Sequence, residues 1–426
     1  MPATRLIRIF ISAGEVSGDL HGGYLIEALR REAAARGYEI AVTGLGGARM
    51  RAMGARLIAD TTRLGAVGLA EALPYVLPTL RLGRRARQSL TAEPPDALVL
   101  IDYPGLNIPL ASALHGRLPA PIIYYIPPEE WVWSTKGNGL LDRSHKIARG
   151  VDYVLATHPL EAEFYRGIGC QVEAVGHPLR DIVSARRIDR NGARQRLGIA
   201  GDQRIVTLLP ASRTQEWRLV WPAIAAASAR LLAQQPNLRF LLPLASPFLR
   251  RDLIRALADS CQRYPALAKA LTVLDGADQE DPPSGLAIAA ADLAITKSGT
   301  VTLELALQDV PQVAVYRLKQ ANIWLGRYLL RMTEADVVNL TLINHIMQRP
   351  IVPEFLLFWA TPEAISTAAL QLIPDQAPAR ASQLDDYRRL RERIGPPGAI
   401  ARAARCILQW AGIANAHQPD AIAAAS

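Results

Sequence analysis

Four short stretches combine residue types that can do chemistry. The first is Ile11–Gly23, ISAGEVSGDLHGG, where an apolar run stops at a small-residue turn. That turn carries two carboxylates, Glu15 and Asp19, on either side of Ser17 and Gly18. The second is Ile101-Asp102-Tyr103-Pro104-Gly105-Leu106-Asn107. Here a carboxylate closes an apolar run, and Pro104 opposes immediate helical continuation. The third, Leu209–Glu216 or LPASRTQE, places Arg213 in a turn ahead of a helical pattern. The fourth, Ile295–Glu304 or ITKSGTVTLE, runs from a strand pattern through Ser-Gly-Thr into a helix start.

The fourth stretch suits an anion. Unsatisfied N–H groups and the helix dipole favour negative charge there, and Ser298 and Thr300 add hydroxyl donors around Gly299. Glu304, read as part of the first turn, can accept hydrogen bonds from a ribose diol. An ordinary capped helix would show the same pattern. A buried Arg is uncommon unless an anion pairs with it, which makes Arg213 a second candidate anion ligand. A surface salt bridge to Glu216 is the plainer reading of Arg213.

Phosphate-loop, dinucleotide, serine-hydrolase and metal chemistries lack their signatures. There is no G-x-x-x-x-G-K-[ST] phosphate loop. Gly44-Leu45-Gly46-Gly47 lacks the third glycine of the dinucleotide fingerprint. No G-x-S-x-G elbow or post-strand Asp-x-Asp pair occurs, and histidines are scattered, so no metal and no cofactor are called for. An anion site on one part of the chain and carboxylates on another suit a nucleotide-sugar transferase that works without a metal. Arg213 and a helix N-terminus would stabilise the leaving diphosphate, and a carboxylate would deprotonate the attacking hydroxyl.

The elements that must position these residues alternate between short apolar runs and amphipathic stretches. Strands are expected at Ile7–Ala13, Ile40–Thr43, Ala97–Asp102, Ile122–Ile126, Tyr153–Thr157 and Val172–Val175, with helices such as Tyr24–Ala35 and Asn138–Arg149 between them. The polar, Arg-rich segment Asp181–Gln203 reads as a linker. The pattern restarts at Ile205–Leu209, Phe240–Leu244, Leu271–Leu274, Leu293–Thr296 and Gln312–Tyr316, and only helices are expected beyond (Pro362–Leu372, Ala381–Ile394, Ile400–Gly412). This is an α/β chain of two doubly wound parallel sheets. Ligands of such sheets bind at the carboxyl ends of the strands, so a cleft between the two domains is the expected site.

Bulk composition agrees with a large globular chain. Of 426 residues, 50% are hydrophobic and 20% charged, which excludes disorder and calls for more than one domain. The net charge of +9 favours anionic partners, but with 6% aromatics and no known module, nucleic acid is not expected. Cys170, Cys261 and Cys406 are odd in number and far apart, giving neither a disulfide framework nor a zinc pattern, and suit a reduced cytoplasm. No signal peptide and no transmembrane run are read. Leu64–Leu82, LGAVGLAEALPYVLPTLRL, is an apolar run followed by Gly83-Arg84-Arg85-Ala86-Arg87. Leu69, Leu73, Val76 and Leu77 with Arg84 and Arg85 would form an interfacial anchor for an anionic membrane surface; a core helix with a solvated basic end is the plainer reading.

Taken in order, these stretches resemble the lipid-A-disaccharide synthase family. Ala13-Gly14-Glu15-Val16-Ser17-Gly18-Asp19 is similar to its A-G-E-x-S-G-D, and Ile101-Asp102-Tyr103-Pro104…Asn107 to I-D-x-P-D-F-N. Trp131-Val132-Trp133, Val175-Gly176-His177-Pro178, Pro210-Ala211-Ser212-Arg213, Ser298-Gly299-Thr300…Leu303-Glu304 and Tyr316-Arg317 follow, then Leu342-Ile343-Asn344 with Glu354 ten residues on.

The resemblance implies a GT-B fold with Rossmann-like domains over 1–182 (acceptor and membrane) and 183–350 (UDP-sugar), and a helical segment 351–426 returning to the first. It implies an inverting glycosyltransferase acting as a homodimer at the cytoplasmic face of the inner membrane. Such an enzyme joins UDP-2,3-diacylglucosamine to 2,3-diacylglucosamine 1-phosphate, a lipid acceptor, to give a β-1,6 disaccharide and UDP. Carried over by position, Asp102 is the base and Glu15 a second catalytic carboxylate. Ser17, Asp19, Asn107 and Asn344 are substrate-binding, Arg213, Ser298, Gly299 and Thr300 hold the diphosphate, and Glu304 the ribose.

The chain departs from the pattern at Gly105 for the second Asp, Ala211 for Gly, Pro127-Pro128-Glu129-Glu130 for S-P-S, and Ile343 for Pro. These keep a different lipid or glycan acceptor open. A UDP-GlcNAc 2-epimerase shares the two-domain architecture, but it needs no apolar surface such as Leu64–Leu82.

Overall fold

The structure is a computed structural model that describes residues 5–62, 69–128, 143–186, 188–211, 214–244, 250–275, 283–317 and 341–413. The chain divides into two units, one formed by Met1–Asp181 with Ile394–Ser426, the other by Ile182–Arg393.

The first unit runs β1 (Arg5–Ala13), α1 (Glu15–Ala34), β2 (Tyr38–Gly46), α2 (Ala48–Ala52), β3 (Arg56–Asp60), α3 (Leu69–Ala92), β4 (Ala97–Ile101) and α4 (Pro104–Leu114). It continues with β5 (Ile122–Tyr125), α5 (Ser144–Gly150), β6 (Tyr153–Ala156), α6 (Pro159–Gly167), β7 (Gln171–Ala174) and α7 (Pro178–Ala185), which crosses the division. Its seven-stranded sheet has the order β3-β2-β1-β4-β5-β6-β7, and its strand pairs are parallel. β4, ALVLI, is buried at every residue, the pattern of a central strand covered on both faces. Phe10, Leu98, Leu100 and Tyr124 pack with Leu82, Ala86 and Leu90 of α3 and with Leu106 and Leu110 of α4.

The second unit holds α8 (Arg190–Arg196), β8 (Ile205–Leu209), α9 (Thr214–Gln234), β9 (Arg239–Pro243), α10 (Arg250–Arg263), α11 (Pro265–Ala270), β10 (Leu271–Leu274) and α12 (Pro283–Ala290). There follow β11 (Leu293–Lys297), α13 (Thr300–Leu307), β12 (Gln312–Tyr316), α14 (Leu342–Met347), β13 (Glu354–Leu356), a 3-10 turn (Leu357–Trp359), α15 (Pro362–Leu372) and α16 (Pro378–Arg393). Its parallel strands are ordered β10-β9-β8-β11-β12-β13. Trp217 and Trp221 of α9 and Ile365 and Ala369 of α15 bury against Val206, Leu208, Ile295 and Val313.

The segment expected as a linker, Asp181–Gln203, holds helix instead: α7 ends in it and α8 lies within it. Asp189 caps α8 by accepting from Gly192 N at 2.7 Å, and the buried Arg194 reaches the carbonyls of Ala200 and Ala290. The block 351–426 is divided rather than returning whole to the first unit. It begins with a strand, β13, and α15 and α16 belong to the second unit; only from Ile394, through α17 (Ala399–Trp410), does the chain belong to the first. There α17 packs along α1. Its start is held by the Asp181 carboxylate, which accepts from Gly398 N at 2.5 Å and Ile400 N at 2.8 Å.

Candidate active site

In each sheet the strand order reverses once, between β1 and β4 and between β8 and β11. Connections leave such a point in opposite directions and open a crevice at the carboxyl ends. The four chemistry-bearing stretches follow β1, β4, β8 and β11.

In the first unit Ala13 is the register partner of Ile101, so Gly14 and Asp102 leave the sheet side by side. The ring of Tyr103 covers Gly14 so closely that a Cβ there would stand 2.2 Å from Tyr103 Cγ. Glycine is required for that approach. Helix α1 begins at Glu15, ahead of the expected Tyr24–Ala35, so the small-residue turn at Glu15–Asp19 is a first helical turn. Its start has no side-chain cap; the Glu15 charge complements the helix dipole, and Glu15 N donates to Thr61 O at 3.3 Å. Glu15 and Ser17 are half-buried on this turn.

Asp19 has a different place from the one expected. Its buried carboxylate accepts from Gly47 N at 2.7 Å, Met50 N at 3.0 Å and Arg49 N at 3.0 Å. A carboxylate from α1 thereby caps α2 and builds the turn after β2. Asn107 is also turned inward. Its Nδ2 donates to the Asp102 carbonyl at 2.7 Å, with the carbonyls of Ser12 and Ile101 at 3.2 Å, and its Oδ1 accepts from Ser12 Oγ at 2.6 Å.

Four non-glycine residues at this edge adopt left-handed backbone: Glu15 (φ 60°), Asp102 (φ 46°), Tyr103 (φ 52°) and Ile126 (φ 57°). They follow β1, β4 and β5, three adjacent strands. Each costs roughly 1–2 kcal/mol against an ordinary conformation. Strain of this kind persists where surrounding contacts over-determine it, and it concentrates at functional sites. Asp102 keeps its side chain partly exposed while Ile101 and Tyr103 on either side are buried. Burial, and beyond it the Glu15 carboxylate, raise the Tyr103 phenol above its ordinary range, so it stays neutral. Gly105, where the resemblance would have a second Asp, is exposed with open space where a Cβ would point.

In the second unit, Lys297 ends β11 and Ser298-Gly299 leads into α13. Gly299, with φ 154° and ψ −171°, occupies a region essentially restricted to glycine. A Cβ on it would approach Lys297 Nζ to 3.3 Å. Ser298 is half-buried and Thr300 exposed. The Lys297 ammonium lies 2.9 Å from the Glu216 carboxylate on the first turn of α9. Glu304 lies one turn further into α13 than expected and pairs with Arg186, a residue of the stretch read as linker. Asn344 is buried and bonded inward: its Oδ1 accepts from Ile351 N at 2.8 Å and Val352 N at 2.9 Å, and its Nδ2 donates to Glu354 Oε1 at 2.6 Å. It shapes the approach to β13. Ser212, Arg213 and Glu129–Trp133 lie outside the described residues.

Three residues in and around these strand ends have no expected role in the sequence. Lys297 lies in the fourth stretch with no expected role, although a cation directly before Ser-Gly-Thr is a signal. Arg186 and Tyr124 give none, since a polar segment and an apolar strand absorb them without remark. Among the described residues no group of three or more His, Cys, Asp or Glu is arranged to hold a metal ion, and no helix is long and apolar enough to cross a membrane.

A family model described as lipid-A-disaccharide synthetase matches residues 9–404. The chain is 43% identical to the lipid-A-disaccharide synthase of Prochlorococcus marinus (strain MIT 9313), covering 95% of this chain and 99% of that protein. It is 40% identical to the same-named protein of Gloeothece citriformis (strain PCC 7424), covering 95% and 100%. Among solved structures, the S. aureus MnaA–UDP co-structure superposes with a TM-score of 0.64 at 13% identity, over 96% of this chain and 98% of that one. The UDP-GlcNAc 2-epimerase from Neisseria meningitidis bound to UDP-GlcNAc gives 0.59 at 10% identity, over 95% and 100%. At such identities these two speak for the fold alone, and the fold is GT-B. The full-length match, with the strand-end residues in family order, means that the chain belongs to the lipid-A-disaccharide synthetase family.

Proposed function

We propose that this chain makes the lipid A disaccharide, transferring 2,3-diacylglucosamine from UDP to the 6-hydroxyl of 2,3-diacylglucosamine 1-phosphate. The observation that carries this reading is Asp102: a half-exposed carboxylate on a strained turn at the switch point of the first sheet, within a chain that matches synthases end to end. Asp102 takes the proton of the acceptor hydroxyl. The hydroxyl oxygen forms a bond to the anomeric carbon as that carbon's bond to UDP breaks, which inverts the configuration. Glu15, on the adjacent strand end, orients the sugar beside the base, with Ser17 next to it. The N-terminus of α13, with Ser298, Gly299 and Thr300, takes up charge on the leaving diphosphate, Arg213 joins it, and Glu304 holds the ribose. Asp19, Asn107 and Asn344 act by holding the backbone of these segments. The exposed apolar side chains of α3 support contact with an anionic membrane surface, where acylated sugars reside.

UDP release from UDP-2,3-diacylglucosamine, with and without 2,3-diacylglucosamine 1-phosphate, tests the reading. Acceptor-dependent release that disappears in Asp102→Asn, while UDP still binds, is the expected result. Folded enzyme that binds the donor but gives no acceptor-dependent release overturns the acceptor assignment. It would favour a second reading, a different lipid or glycan acceptor, which the open space at Gly105 supports.

A further inference from the structure

We propose that Tyr124 is a positioning residue for Asp102, acting with the Ser12–Asn107 pair to lock the left-handed turn on which that carboxylate is carried. The proposal rests on the reading of Asp102 as the base.

Tyr124 lies within β5, opposite Leu100 of β4, and is fully buried. A phenylalanine would supply the same packing. A hydroxyl taken into such a core is unfavourable unless it finds a partner, and this one donates to the Asp102 carbonyl at 2.8 Å. Asn107 Nδ2 donates to the same oxygen at 2.7 Å. A carbonyl oxygen has two lone pairs, and here two donors match them. Asn107 is itself held by Ser12 Oγ at 2.6 Å, and Asp102 N donates to Ile126 O at 3.2 Å. Ser12 and Asn107 are as inaccessible as Tyr124. The peptide after Asp102 is therefore fixed by side chains from β1, α4 and β5.

The fixed peptide joins two left-handed residues, Asp102 (φ 46°) and Tyr103 (φ 52°). Rotating it would change ψ of Asp102 and φ of Tyr103 and so relieve Tyr103, while the bond from Asp102 N to Ile126 O holds the peptide on the other side of Asp102. A turn that served only to connect β4 to α4 would carry glycine at one of these positions, as glycine adopts this backbone freely. The chain keeps a carboxylate and a phenol there and surrounds the intervening carbonyl with donors. The turn exists to present the side chain at 102, and Tyr124 stops the peptide from relaxing. Release of the peptide displaces the carboxylate from its approach to the acceptor hydroxyl without touching the groups that bind either substrate.

The test is Tyr124→Phe in the full chain, alone and combined with Asp102→Asn. A misplacement of the base on the scale of 1 Å can cost up to about a hundredfold, so kcat should fall by about tenfold to a hundredfold while KM for both substrates stays within about twofold. In the Asp102→Asn background Tyr124→Phe should lower the residual rate no further, because there is no base left to position. Wild-type kcat in Tyr124→Phe overturns the proposal, and so do losses that multiply in the double variant. If Tyr124→Phe gives no cooperative melting transition, Ser12→Ala severs the Asn107 side of the same clamp and must show the same kcat-only loss. Full activity in Asp102→Asn would instead remove the base assignment itself, a failure distinguishable from an active Tyr124→Phe beside an inactive Asp102→Asn.

Discussion

The Lys297 ammonium meets the Glu216 carboxylate at 2.9 Å between the ends of β8 and β11, where the second sheet reverses its strand order. Both side chains are largely removed from water. A cation at the N-terminal end of α13 sits where the helix dipole is already positive, the wrong end for a lysine. Glu216 offsets that charge, and under the proposed function a bound diphosphate would do so in its place. Lys297→Met is expected to weaken UDP binding by about tenfold, or about 1.4 kcal/mol, measured by titration calorimetry. The variant also leaves the buried Glu216 without this cation and lowers the melting temperature. Adding Glu216→Gln should recover the melting temperature and not the UDP affinity. Unchanged affinity in Lys297→Met would mean that the pair is structural only.

A similar separation of structure from binding applies to Asp19. Its carboxylate takes three backbone N–H groups at the start of α2. An asparagine turns one acceptor into a donor facing N–H. Asp19→Asn should lower the unfolding free energy by about 1–3 kcal/mol in urea titrations and leave UDP affinity, which the proposed function assigns to the other unit, unchanged. Intact stability together with a loss of substrate affinity would return Asp19 to a direct binding role.

These two residues also mark how far a sequence can be read. The expected strands at Ile205–Leu209, Leu271–Leu274 and Gln312–Tyr316 coincide with β8, β10 and β12, because strands of a parallel sheet are written as apolar runs between breakers. β3, RLIAD, and β13, EFL, escape such a reading; they are edge strands, short and only half-buried, with no run to see. The start of α1 at Glu15 escapes it because the first turns hold Ser17, Gly18, Gly22 and Gly23, poor helix formers that tertiary packing overrides. The four strand ends are legible as chemistry, since carboxylates, an Arg and a Ser-Gly-Thr stand at strand ends for few other reasons. The division of labour among them is not. Asn107 bonds to Ser12, 95 residues away, and Asp19 to Gly47, 28 residues away, and no local pattern records that their polar atoms are already used.

Acid should destabilise the first unit through its buried histidines. Burial lowers His21 from 6.5 to about 4, and its Nδ1 finds no hydrogen-bond partner among the described residues. His177 is lowered in the same direction, by burial and then by His21 and His158. In the unfolded chain these rings take up protons as pH falls through 6.5, while the folded chain holds them neutral. Stability is therefore present above pH 6.5 and declines toward pH 4, and for His21 the loss is on the order of 2 kcal/mol at pH 5. Urea titrations at pH 7 and pH 5 should show that decline, and His21→Gln should reduce it. An equal pH dependence in the variant would place the titrating group elsewhere.

The last expectation concerns α3. Leu82, Ala86 and Leu90, four residues apart, are buried against the unit, while Val76, Leu77 and Leu80 are 48%, 63% and 54% exposed. Arg84 and Arg85 are exposed just beyond them. Positions 76, 80 and 84 recur every four residues, so the apolar stripe and the first arginine share a helix face away from the buried one. An apolar stripe ending in arginines suits an anionic bilayer: the apolar side chains enter the acyl boundary and the guanidinium groups meet phosphates. Val76→Ser with Leu77→Ser and Leu80→Ser should abolish co-sedimentation with phosphatidylglycerol vesicles. Arg84→Ala with Arg85→Ala should weaken it by about 1 kcal/mol per arginine and make what remains less sensitive to salt. Turnover of detergent-dispersed substrates should persist in both, because neither set belongs to the strand ends that carry Asp102 and α13. Vesicle binding that survives the serine substitutions would leave α3 as an ordinary amphipathic helix and move the membrane contact to another part of the chain.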